Sequence, residues 1–195
     1  MIIETIVSTI GNDGKVNFSP FGIKKNKNQI YISPYIPSKT LLNLKSSRCA
    51  VVNYTDNTSF FVDCITGNKK FKKKKCKNFP GYFLENCFSY EQVKVKKIIE
   101  DKLRPTFVCE IDESFHIKSY KGHNRAKASI IEACILASRI QLLDKKKILN
   151  ELSYLSISVE KTSGPLEKKS WEKLLKYIDK KIDEKRTRKK LEHSY

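Results

Sequence analysis

The sequence predicts an α+β fold, mainly β: an antiparallel barrel over residues 1–120, followed by a helical region over 121–195 packed on it. Three observations lead there. Short β-rich runs recur through the first 120 residues, divided by turn residues. An Asp-Gly pair joins the first two of them. Beyond residue 121 the apolar spacing lengthens from two to between three and four. A chain of 195 residues suits one domain with a helical appendage.

The first element is IIETIVSTI, followed by Asn12-Asp13-Gly14 and KVNFS, a hairpin in which Gly14 supplies the positive φ of the turn. Further strands are expected at QIYISPY (29–35), CAVVNY (49–54), SFFVDCI (59–65), VKVKKII (93–99), TFVCEI (106–111) and FHIKSY (115–120). Short antiparallel strands of this kind close into a barrel or half-barrel. Between them SKTLLNLKS (38–46) reads as a helix, with Ser38 as N-cap after Pro37 and Leu41, Leu42 and Leu44 as its apolar face. KKFKKKKCK (69–77) holds seven Lys in nine positions, a self-repelling run expected as an exposed loop.

In the last part, NRAKASIIEACILASRIQLL (124–143) carries apolar residues at 126, 130, 133, 134, 137, 140 and 142, read as a buried helix face. KKKILNELSYL forms a second helix, and SISVEKTSGP breaks the pattern. Pro165 opens a third, whose stripe is Trp171, Leu174, Leu175, Ile178 and Ile182. Residues 183–195 read as a frayed end.

Composition narrows the function classes. Hydrophobic residues make up 39%, enough for an ordinary core and too many for a wholly disordered chain. No apolar run reaches the ~18 residues of a membrane span, and the N-terminal stretch lacks the plan of a secretory signal, so a cytoplasmic protein is expected. Six cysteines show no Cys-x-x-Cys and no zinc spacing with the three histidines, so no metal site is expected. Net charge is +18, which attracts anions. The excess, however, is 33 Lys against 6 Arg. Sequence-reading nucleic-acid proteins rely on Arg forks, so the charge reads as a solvated surface with non-specific attraction only.

Two stretches could carry chemistry. Pro37-Ser38-Lys39-Thr40, followed by Asn43, places two hydroxyls and a Lys beside the free N–H groups of a helix start, a setting for phosphate. A plain capped helix explains the same residues. Asn17-Phe18-Ser19-Pro20-Phe21-Gly22 ends the hairpin, where Pro20 and Gly22 should keep the backbone off an ordinary ladder and leave it open to a planar ligand. A turn without ligand explains that equally.

SKTLLNLKSSRCAVVNYTDN resembles the S/D-x-T-x-x-N-I/L stretch, followed by a strand ending in V-N, of flavin-reductase-like FMN-binding split barrels. MIIETIVST, NFSPFGI with SKTLLNL, HNRAKASIIEACILASR and VEKTSGP together resemble, in order and spacing, an uncharacterised FMN-binding split-barrel family linked to tetrahydromethanopterin-dependent one-carbon metabolism. These matches run from Met1 to about Tyr177; the Lys-rich run has no counterpart in them.

The resemblance implies an FMN-binding split β-barrel with FMN at a homodimer interface and a C-terminal helical region. It implies that Ser38, Lys39, Thr40 and Asn43 hold the phosphate and ribityl chain. Asn17, Ser19 and the backbone of Pro20, Phe21 and Gly22 would border the isoalloxazine. Asn53 would reach the cofactor, and Arg125 and Lys127 would meet the phosphate or a neighbouring anion. The function implied is a flavoprotein, an oxidoreductase acting on a small heterocycle such as a pterin, with catalytic residues and reductant unassigned. A non-catalytic flavin-binding module and a basic anion- or nucleic-acid-binding protein are the alternatives.

Overall fold

A computed structural model describes residues 1–192, in two compact units: 1–56 with 69–121, and 57–68 with 122 onward. The first holds β1 (Ile2–Ile10), β2 (Val16–Asn26), β3 (Gln29–Ile32), α1 (Lys39–Ser47), β4 (Cys49–Tyr54), β5 (Lys73–Lys75), β6 (Tyr82–Leu84), β7 (Ser89–Ile99) and β8 (Thr106–His116). The second holds α2 (Thr58–Thr66), α3 (Arg125–Ser138), α4 (Lys145–Thr162) and α5 (Pro165–Glu192). The class is α+β, as expected.

Six strands close a barrel in the order β1-β2-β3-β8-β7-β4, every pair antiparallel. The period-two pattern directs alternate residues inward: Val7, Ile23, Ile30, Val52, Val93 and Phe107 meet in one core. Leu41 and Leu44 of α1 belong to that same cluster, whereas Leu42 faces solvent. Burying two leucines three apart fixes α1 against the barrel, and so fixes where its N-terminus lies. The β1–β2 turn forms as read, with Gly14 at φ 72°.

Several expected boundaries differ. SFFVDCI is helix α2, not a strand. Its composition favours β, but Asn57 caps it by accepting from the Ser59 N–H at 3.1 Å, and Gly67 ends it at φ 86°. Phe60, Phe61 and Cys64 are then buried, which fits helical spacing. FHIKSY is no separate strand: β8 runs unbroken to His116. β3 stops at Ile32 rather than residue 35.

The Lys-rich loop is exposed, but Lys73–Lys75 are extended and pair with Tyr82–Leu84, with Cys76 and Phe79 buried beneath. In the helical unit α4 does not break at SISVEKT. Val159 continues the buried stripe of Ile148 and Leu152, and the helix carries on to Thr162. α5 begins at Pro165 as read and buries Trp171, Leu174, Ile178 and Ile182, with a Lys173–Asp63 ion pair of 2.5 Å to α2. It then runs to Glu192 instead of fraying after Ile182; the final residues 193–195 lie outside the described part.

All six cysteines are free and buried. No group of His, Cys, Asp and Glu among the described residues could hold a metal, and no described helix is long and apolar enough to cross a membrane.

Candidate functional site

α1 starts at a true cap: Ser38 is extended at φ −151°, and its Oγ accepts from the Leu41 N–H at 3.3 Å. That satisfies one of the orphan donors of the first turn; the N–H groups of Lys39 and Thr40 have no partner among the described residues. Asn43, one turn on, is buried and donates to Thr9 Oγ1 at 3.0 Å, tying the helix to β1.

The second tie is Asn17. Its Nδ2 donates to Thr40 Oγ1 at 3.0 Å and to Ser19 Oγ at 3.3 Å, and Asn17 and Thr40 are both buried. Lys69 Nζ lies 3.4 Å from Asn17 Oδ1. An ammonium only donates, so this contact fixes which way the amide points. The consequence is chemical. With Asn17 supplying both amide hydrogens, the Thr40 and Ser19 hydroxyls accept from it and keep their own protons for another acceptor. Two hydroxyl donors, the two unpartnered N–H groups of the α1 start and the Lys69 ammonium make a donor array with positive charge. Such an array fits a phosphate.

The second sequence stretch is corrected in its backbone. Val16–Lys24 pairs with β1 residue for residue, Pro20 opposite Ile6 and Gly22 opposite Glu4, so this segment does sit in a ladder. β3 covers only Lys24, Lys25 and Asn26, and the second edge of residues 16–23 has no strand. Pro20 is tolerated because β2 is paired on one side only there. Phe21 packs on the barrel core and its carbonyl accepts from Thr5 Oγ1 at 3.0 Å. Gly22 has a local reason of its own: a Cβ would meet Ile2 Cγ2 and Glu4 Oε1 at 2.8 Å each.

Asn53 does not belong to the constellation. It is wholly buried, donates to the carbonyls of Ile6 at 2.9 Å and Val51 at 3.3 Å, and accepts from the Leu84 N–H at 2.8 Å. Those bonds use its amide to tie β4 to β1 and β6, leaving nothing to offer a ligand. Arg125 and Lys127 fall in the helical unit, in the first turn of α3. There the Asn-Arg-Ala-Lys run has a capping role: Asn124 accepts from the Lys127 N–H at 3.1 Å and donates to the Thr162 carbonyl at 2.9 Å. Thr162 Oγ1 in turn accepts from the Ala126 N–H at 3.0 Å.

One polar cluster escaped the sequence. Glu91, nearly buried on β7, accepts from Lys25 Nζ at 2.5 Å, Tyr54 Oη at 2.6 Å and Ser114 Oγ at 3.3 Å. Burial, and then the Glu91 carboxylate, push the Tyr54 hydroxyl far above its ordinary pKa. Its partners lie 66, 37 and 23 residues away along the chain, so no local spacing announces it. Every oxygen of this carboxylate is occupied, and the cluster reads as structural.

Two models of one family match the chain: the N-terminal domain of a protein of unknown function, DUF447, over residues 3–118, and the DUF447 protein model over 124–176. Among solved structures, the chain is similar to an FMN-bound DUF447 protein from Methanosarcina mazei, with TM-score 0.76, 19% identity and coverage of 90% of this chain and 94% of that one. Flavoredoxin from Methanosarcina acetivorans matches at TM-score 0.53 and 13% identity over 61% of this chain and 70% of its own. The flavin reductase HpaC, in complex with NADP+, matches at 0.52 and 17% over 62% and 82%. The last two share the barrel fold over part of the chain. Comparison with curated proteins finds no match.

Proposed function

The chain belongs to the DUF447 family, and from that premise we propose that it is an FMN-binding flavoprotein whose phosphate site is the start of α1. The observation that carries this reading is the donor array set by Asn17: Thr40 and Ser19 hydroxyls that accept from its amide and keep their own protons, beside the unpartnered N–H groups of the α1 start and Lys69. The residues fit the terminal phosphate of FMN in charge and in donor count. The FMN-bound family member, matched over nearly all of this chain, supports the cofactor's identity.

When bound, FMN supplies the redox chemistry itself, accepting or passing on a hydride at its ring. The protein's share is binding and orientation. Thr40 and Ser19 would donate to phosphate oxygens, the N–H groups of Lys39 and Thr40 would complete the cradle, and residues Pro20 to Gly22 would border the ring. An oxidoreductase acting on a small heterocycle such as a pterin is the reading we carry forward; flavoredoxin and flavin reductase neighbours support the redox part. A homodimer belongs to the proposal, because no strand of this chain pairs along the second edge of β2 over residues 16–23, where a second copy would pack. A cytoplasmic setting fits six buried, unbridged cysteines.

The direct test is to purify the protein natively, record its visible spectrum and identify released small molecules by mass spectrometry. Yellow protein releasing FMN is expected. Colourless protein that also fails to take up added FMN overturns the proposal.

A further inference from the structure

Lys69 opens the Lys-rich run, and its surroundings differ from those of the lysines after it. Lys73, Lys74 and Lys75 lie exposed on β5, and Lys73 stands over the Tyr82 ring within its own hairpin. Lys69 instead reaches back to β2, with its Nζ 3.4 Å from Asn17 Oδ1. Two residues on, Phe71 meets Phe18 edge-on, ring centroids 5.3 Å apart. This aromatic contact lies one residue from Asn17 and anchors the start of the run against the strand that carries the site.

What distinguishes Lys69 is its acceptor, the neutral amide oxygen of buried Asn17. Lys25, Lys94, Lys96 and Lys173 each pair with a carboxylate. Lys39 lies within electrostatic reach of Asp13. Among the described residues Lys69 pairs with no carboxylate; its partner is a neutral amide oxygen. A cation tethered to a neutral acceptor, beside hydroxyls and N–H groups that have only donors to give, lacks its counter-charge. A phosphate would supply it.

We propose that Lys69 is the cationic ligand of the FMN phosphate, brought to the site by the Phe71–Phe18 contact, and that it sets the preference for FMN over riboflavin. This rests on the flavin reading above. It divides the Lys-rich run in two: its first residue serves the cofactor, and Lys72–Lys75 do not.

The test is titration of wild type, Lys69→Gln, Lys69→Arg and Lys74→Gln with FMN and with riboflavin, by quenching of flavin fluorescence, with circular dichroism as a check of folding. Wild type should prefer FMN. Lys69→Gln should lose about tenfold to a hundredfold in FMN affinity, the range for a hydrogen bond to a charged group, with riboflavin unchanged. Lys69→Arg should keep most of the preference, and Lys74→Gln, with the same change in net charge, should match wild type. Three outcomes overturn the proposal with the flavin reading intact: Lys69→Gln keeping the wild-type FMN-to-riboflavin ratio, Lys69→Gln losing both ligands alike, or Lys74→Gln losing as much as Lys69→Gln. Wild type binding neither flavin overturns the flavin reading itself, and this proposal with it.

Discussion

Asn17 on β2 and Thr40 on α1 are joined across 23 residues of sequence by a buried 3.0 Å hydrogen bond in which the amide donates and the hydroxyl accepts. Its direction decides what the site can bind. Because Asn17 provides the hydrogen, the Thr40 proton is left for a ligand acceptor. Thr40→Ala should therefore weaken FMN by about 1–3 kcal/mol while riboflavin, without the phosphate, binds as before. FMN should also bind better than FAD, whose phosphate is not terminal. Isothermal titration with the three flavins decides it; riboflavin binding as tightly as FMN in wild type places the phosphate elsewhere.

A second prediction concerns alkaline stability. Burial pushes the thiols of Cys76 and Cys87 up to about 11 and those of Cys109 and Cys134 up to about 12, from 9.0. The folded chain thus keeps protons that the unfolded chain releases. The contribution is whole below pH ~9 and is lost as pH climbs toward 11 and 12, by up to ~1.4 kcal/mol per pH unit for each thiol. Tyr54, also raised, adds the same sign above pH ~10. Urea midpoints should fall steeply between about pH 9 and 12, and Cys134→Ala should flatten the fall. An equal slope in that variant would remove Cys134 from the account.

The barrel strands, α1 and its cap were legible because each is signalled within a few residues: the continuous β-rich run Cys49–Tyr54, the Asp-Gly turn, Ser38 before TLLNL. α2 was not, since Phe60, Phe61 and Val62 favour a strand by composition while the helix is decided by Asn57, Gly67 and tertiary burial. At the site, Ser38 and Thr40 were visible as helix-start chemistry. What turns them into a donor array was not visible, because Asn17 meets Thr40 across 23 residues and Lys69 across 52. Asn53 shows the reverse error: its position at the end of a strand suggested a ligand, and its three internal bonds give it a structural task.

The Asn-Arg-Ala-Lys run gives a third prediction. Asn124 both caps α3 and closes on the last carbonyl of α4, so Asn124→Ala should destabilise the protein by about 1–2 kcal/mol. Thr162→Val should cost a similar amount, and the pair less than the sum, because both belong to one network. Arg125→Gln and Lys127→Gln should stay within about 0.5 kcal/mol. Chemical denaturation of the five proteins checks this; a larger loss from Arg125→Gln than from Asn124→Ala contradicts it.

Oligomeric state follows from the edge of β2. Light scattering should give a dimer mass at micromolar concentration. A monomer mass for wild type with flavin bound rules the dimer out.

The final prediction separates the exposed lysines from the cofactor. Lys72–Lys75 stand exposed on or beside β5, and their charge is part of the chain's +18. Such a patch attracts any polyanion through release of counter-ions, without regard to sequence, and salt weakens it steeply. Replacing Lys72, Lys73, Lys74 and Lys75 together by Gln should reduce the affinity for duplex DNA and reduce the slope of log affinity against log salt. FMN binding should stay within a factor of about two, since exposed charges beyond a Debye length of ~8 Å are screened at physiological salt. Filter binding at several salt concentrations and a flavin titration give both numbers on one preparation. Nanomolar, sequence-selective DNA binding that survives physiological salt would instead make nucleic acid a specific partner, and loss of FMN on the fourfold change would bring β5 into the cofactor site along with Lys69.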